Sequence, residues 1–207
     1  MRDELGRIPD VLNKYRPELS EKFTNPEHET DWHDAILDVG ISAMRANLTS
    51  VLTYGGGRGS IFGSYTGLGI INQGHELGHM EQLGNEIWLK IRNYNSEMLL
   101  KIYRALEATP EPDGSGNMMD HTLIIYTSNN ADKQHTIGEH WPVVLIGNAG
   151  GQFKTNAVTR VRGNRPINDL YTTLLRAAGS PVDRFNLSSA MSHRTNSVSG
   201  PIEEILA

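Results

Sequence analysis

The stretch LIIYTSNNADKQHTIGEHWPVVLIGN, residues 123–148, decides how this chain is read. Leu123, Ile124, Ile125 and Tyr126 form one short apolar run, and Val143, Val144, Leu145 and Ile146 form another. Apolar runs of this length, bounded by turn residues, read as buried strands. Between them lies a polar loop carrying Asp132, His135, Glu139 and His140. The reading sets imidazoles and a carboxylate at the carboxyl end of a buried strand. Ligands collect there in open α/β sheets, because loops converge and the backbone runs out of ladder partners.

Working outward, the flanking segments alternate between helical and strand patterns. Ile36, Val39, Ile41, Met44 and Leu48 recur at near-helical spacing, which predicts a helix from Trp32 to about Asn47 with Asp31 as its cap. Residues 50–54 read as a short buried strand, and the glycine-rich run 55–69 as a loop without the lysine of a phosphate-binding motif. The longest helix is expected over 80–108. Its stripe of Leu83, Ile87, Ile91, Tyr94, Met98, Ile102 and Leu106 reads as core packing. TPEPDGSG at 109–116 stops it, and residues 153–161 suggest a further strand. A closing helix begins near Pro166, carries Leu170, Leu174 and Leu175, and ends at Gly179. The alternation predicts an α/β domain with a mostly parallel sheet of about four strands. The expected organisation is a helical N-terminal extension (1–31), an α/β metal-binding domain (32–185) and a flexible tail (186–207).

Composition narrows the function classes. The 207 residues carry a net charge of -5 and no basic block, which argues against nucleic acid or an anionic membrane as partner. No apolar run approaches the roughly 18 residues needed to span a bilayer. The charged N-terminus lacks the apolar region of a signal peptide, so the chain as given is expected to stay where it is made. With no cysteine, thiolate metal sites, disulfides and cysteine nucleophiles are excluded.

Histidines therefore carry the candidate chemistry. His75 and His79 in GHELGHME are spaced i, i+4, and on a helix both rings would face one ion. HELGH also matches the zinc-peptidase pattern, with Glu76 as general base, although Gly74 and Gly78 weaken a helix there. The second group is Asp132, His135 and His140, with Glu139 as a base or as a partner that orients a ligand. One divalent site using both groups is the expectation. Imidazole and carboxylate without thiolate suit zinc first, and manganese, iron or copper also fit. His28 and His33 flank a helix start and read as capping or solvated residues. His121 reads as structural, and His193 lies in the tail. No nucleophile elbow appears, and Ser60, Ser64 and Thr66 are unspecific.

Several segments resemble the C-terminal part of an uncharacterised bacterial domain family of the alkaline phosphatase and sulfatase superfamily. They are DAILDVGISAMRANLTSVLTY, ALEATPEPDGSGNMMDHTLIIYTSN, NNADKQHTIGEHWPVVLIGNAGG and LYTTLLRAAGSPVDRF, and GEHWP before an apolar strand and glycine turn is the most specific piece. The resemblance implies a partial alkaline-phosphatase-like three-layer α/β/α sandwich. It also implies metal-dependent hydrolysis of phosphate or sulfate esters, with a small-molecule or polysaccharide ester as substrate. His75, His79, Asp132, His135 and His140 match the superfamily's ligand positions by order. Asn129 and Asn130 depart from it, standing where an acid is usual, and the half that supplies the nucleophile does not match. A metal would then have to activate water as the attacking group. Relatives of this kind are usually exported, and a partial sheet would leave apolar surface that favours a homo-oligomer. A non-catalytic metal-binding or assembly domain is the alternative, and the zinc peptidase is the third reading.

Overall fold

The computed structural model describes residues 10, 13–17, 24, 27–54, 65–71, 77, 85–128, 140–163, 165–185 and 200–207. The chain divides into two compact units, Met1–Met118 and Met119–Ala207.

The first unit is built on two helices, α1 (Glu29–Arg45) and α2 (Asn85–Glu107). His28 is the N-cap of α1. Asp31 sits at the third helical position, where its carboxylate accepts from the amides of Glu27 (3.2 Å) and His28 (3.3 Å). It thus completes a capping box from inside the helix instead of preceding it as the cap. Asn47 terminates α1 in the left-handed region (φ 55), with its amide on Met44 O and the amide of Leu48 on Ala43 O. This is the Schellman arrangement, with asparagine in the position glycine usually takes.

The apolar stripe of α2 is its buried face. Ile91, Met98 and Leu106 are buried, and Leu106 has no exposure at all. Met98 packs with Leu37 and Ile41 of α1, and Ile91 with Tyr65, Ile70 and Leu77. Leu37 and Leu106 each contribute about 1.5–3 kcal/mol by leaving water. Gly40 lets Tyr54 cross α1 closely, since a Cβ there would collide with the phenol. The Tyr54 hydroxyl donates to Ile36 O (3.1 Å) and Leu37 O (3.3 Å). Residues 51–54 are not a strand, and Val51 is exposed, so the buried strand expected at 50–54 is absent. Tyr54 reaches back to the helix as a single anchored side chain. After α2, the Thr109 hydroxyl donates to Ala105 O (2.7 Å) and accepts from Arg45 Nε (2.9 Å).

In the second unit β1 (Ile124–Thr127) and β2 (Val143–Ile146) form a two-stranded antiparallel sheet, with Ile124 opposite Ile146 and Thr127 opposite Val143. This overturns the expected alkaline-phosphatase-like sandwich with a mostly parallel sheet. Among the described residues the structure is mostly helical with this one antiparallel pair. Two physical reasons account for the difference. A parallel pair needs a crossover, usually helical, whereas an antiparallel pair can be joined by a loop. The strands are also not doubly covered: Ile125, Tyr126 and Val144 are exposed, so a short apolar run did not mean burial. The strand expected at 153–161 is reduced to a single bridge, Phe153 to Leu206, and Val158 is fully exposed.

A tight turn follows β2. Gly147 has φ 91 and lies against Thr122 O, so a side chain there would meet both strain and backbone. Ala149 N donates to Thr122 O (3.3 Å) and Gly150 N to Asp120 O (2.9 Å), which ties the exit of β2 to the approach of β1. The last helix, α3 (Ile167–Ala177), starts after Pro166 and stops at Gly179 (φ 76), whose Schellman bonds run to Arg176 O and from Ser180 N to Leu175 O.

The buried face of α3 is unexpectedly polar. Asp169, Thr172 and Thr173 have no exposure. Arg165 Nε donates to Asp169 Oδ2 (2.8 Å), and its terminal nitrogen donates to Gly200 O (2.6 Å) and Pro201 O (2.8 Å). Gly200 N donates to Asp169 Oδ1 (3.3 Å), and Ile202 N to Thr173 Oγ1 (2.8 Å). These polar groups satisfy one another and fix residues 200–207 along α3. Lys154 N on Ile205 O and Ala207 N on Gln152 O continue the attachment.

Candidate functional site

The two described ends of the 128–142 segment are joined by local chemistry. Thr127 pairs with Val143 across the sheet. The indole Nε1 of Trp141 donates to Thr127 Oγ1 (2.9 Å), and that hydroxyl donates to Pro142 O (2.9 Å). One threonine thus ties the last residue of β1 to the two residues that lead into β2. A valine at 127 would keep the strand propensity and lose both bonds.

His140 sits beside this clamp. It is exposed and adopts the left-handed region (φ 54). A non-glycine residue pays roughly 1–2 kcal/mol for that conformation.

The other predicted site residues, His75, Glu76, His79, Asp132, His135 and Glu139, lie outside the described residues, as do Asn129 and Asn130. Among the described residues no three His, Asp or Glu side chains are gathered as a metal site. Of the second histidine group the structure describes His140.

Of the remaining histidines, His193 lies outside the described residues. His28 is the N-cap of α1, as a capping role required. His121 ends the 3-10 turn Met118–His121 ahead of β1. His33 is not solvated: only 1% of it is exposed, and it lies between Tyr65 and Tyr94. Burial lowers its pKa against the opposing attraction of Glu29. Its sequence position on the α1 face beside Ile36 and Leu37 was the available signal, since a histidine four residues before Leu37 shares that helical face.

One shallow depression of about 340 Å³ is lined by Glu27, His28, Glu29, Trp32 and Thr66. Thr66 Oγ1 donates to the Glu29 carboxylate across it. Two carboxylates with an exposed indole give it an acidic, partly apolar surface. No helix among the described residues is long and apolar enough to cross a membrane. No family model, curated protein or solved structure matches the chain.

Proposed function

We propose that this chain is a divalent-metal-binding domain and that the 128–142 loop carries the ligands, with Asp132, His135 and His140 as donors. The observation that supports the reading is the closed base of that loop. Pairing of Thr127 with Val143 and the Trp141–Thr127–Pro142 relay bring its ends together. Closure before binding reduces the entropy lost when separate donors gather on one ion. The donor set, two imidazoles and a carboxylate, is borderline in softness and suits zinc first, with manganese, iron or copper also accommodated.

The same loop carries the most specific part of the family resemblance, GEHWP before an apolar strand. A bound ion would supply positive charge able to polarise an ester oxygen. Within this chain Glu139 is the carboxylate next to the donors that could accept a proton.

Isothermal titration of the full chain with zinc chloride tests the reading. Binding that weakens at least about tenfold in His135→Ala and in His140→Ala, with circular dichroism unchanged, is the expected result. Equal affinity in both variants and the parent contradicts it. Parallel assays on an aryl phosphate, an aryl sulfate and casein separate the catalytic forms of the reading from binding alone.

A further inference from the structure

His33 stands early in α1, and its ring is enclosed by aromatic side chains from two other elements. Its centroid is 6.1 Å from Tyr65, edge-on, and 6.1 Å from Tyr94. Tyr65 and Tyr94 are in turn T-shaped at 6.1 Å, so three rings close on one another. Tyr94 belongs to α2. Tyr65 belongs to the 65–70 turn, in which the Tyr65–Ile70 bridge encloses the 3-10 segment Thr66–Leu68.

That turn touches the beginning of α1 at two more points. Thr66 Oγ1 donates to the carboxylate of Glu29. Gly67 passes so near Thr30 that a Cβ on it would collide with the threonine side chain. The turn is therefore held by a ring contact, a charge-assisted hydrogen bond and a close backbone approach. All three are formed with residues 29–33.

Among the described residues, the ionisable groups near His33 are Glu29 on its own helix, Tyr65 on the turn and Tyr94 on α2. Asp31 and Asp34 on α1 act on Tyr94. Desolvation disfavours the imidazolium and outweighs the attraction of Glu29, so the enclosed ring resists protonation more than a solvated histidine does. A proton on the ring places a charge in a site with almost no access to water. Two responses relieve that cost: water enters between the rings, or Glu29 turns from Thr66 toward the imidazolium. Either one removes a contact that holds the turn.

We propose that His33 is an acid-sensitive latch, and that its protonation releases the 65–70 turn from the first turns of α1. The proton comes from solvent and returns to it, so the device is reversible. Opening exposes Tyr65 and Ile70, both buried in the closed state.

Hydrogen exchange read by mass spectrometry on the full chain tests this, with exchange times scaled for the chemical pH dependence of amides. Protection over 65–71 is expected to fall about tenfold for each pH unit below roughly 6.5, until the enclosed ring itself titrates. Protection in the middle of α2 is expected to stay constant over the same range. His33→Phe keeps an aromatic ring that cannot take a proton, and it should abolish the fall. A parent whose 65–71 protection is independent of pH, or a folded His33→Phe chain that shows the same fall, overturns the proposal. If His33→Phe does not fold, the His33 ring of the parent is followed by NMR. A midpoint below the ordinary histidine value, at the pH where the fall in protection levels off, supports the latch. A midpoint at or above that value overturns it.

Discussion

Replacing Asp169 by alanine should loosen the attachment of the C-terminal segment to α3 and cost about 3 kcal/mol. Asp169 has no exposure, and it accepts from Arg165 Nε at 2.8 Å and from Gly200 N at 3.3 Å. Removing one member of a buried ion pair costs about 3–5 kcal/mol, because the surviving charge stays desolvated. The lower end applies here. The Arg165 side chain keeps 16% exposure and retains its bonds to Gly200 O and Pro201 O, with Glu204 3.7 Å away. Urea unfolding followed by circular dichroism gives the energy, and carboxypeptidase digestion reads release of 200–207 directly. Arg176→Ala is the control. Its ion pair with Glu203 is solvent-exposed on both sides, so its loss should change stability by no more than about 0.5 kcal/mol. The reasoning fails if Asp169→Ala loses less than about 1 kcal/mol, or if both variants release the C-terminus equally.

Three further outcomes follow from the same structure. Leu106→Ala removes a side chain with no exposure and should cost about 2–5 kcal/mol in the same urea assay. Gly147→Ala combines φ 91 with a collision against Thr122 O, and it should weaken the β1–β2 pair, seen as faster amide exchange across 124–127 and 143–146. Stability of the first unit should be full above about pH 6.5 and fall as pH drops below it, because unfolded His33 binds a proton that folded His33 resists. His33→Phe should flatten that part of the stability profile.

The existence of the helices was legible, but the buried face only in α2: in α1 the expected Val39 and Leu48 are exposed, and Ala35, Leu37 and Gly40 are buried with Ile41. The stripe through Ile91, Met98 and Leu106 had one consistent reading, and asparagine or glycine after α1 and α3 marked real ends. The sheet was not legible. Four apolar residues in a row look alike whether two faces, one or none are covered, and the one local signal for an antiparallel pair was the short connection at 128–142, which has no helical pattern. The C-terminal attachment was hidden for a related reason. Asp169, Thr172 and Thr173 are polar in type, and only Arg165, the amide of Phe185 and the backbone of 200–202 turn them into a satisfied buried network. His33 was misread as solvated because its enclosure comes from Tyr65 and Tyr94, both distant in sequence. At the candidate site, the sequence offers histidines and acids of metal-ligand type. The structure adds the closed base and His140, whereas His75, Glu76, His79, Asp132, His135 and Glu139 fall outside the described residues.

Metal content is the direct test of the central reading. The full chain, loaded with zinc and dialysed, is compared by elemental analysis with a triple variant carrying Asp132→Ala, His135→Ala and His140→Ala. The account predicts zinc retained by the parent and lost from the variant, with identical helical signal in both. Equal zinc in the two proteins, or none in the parent, contradicts it.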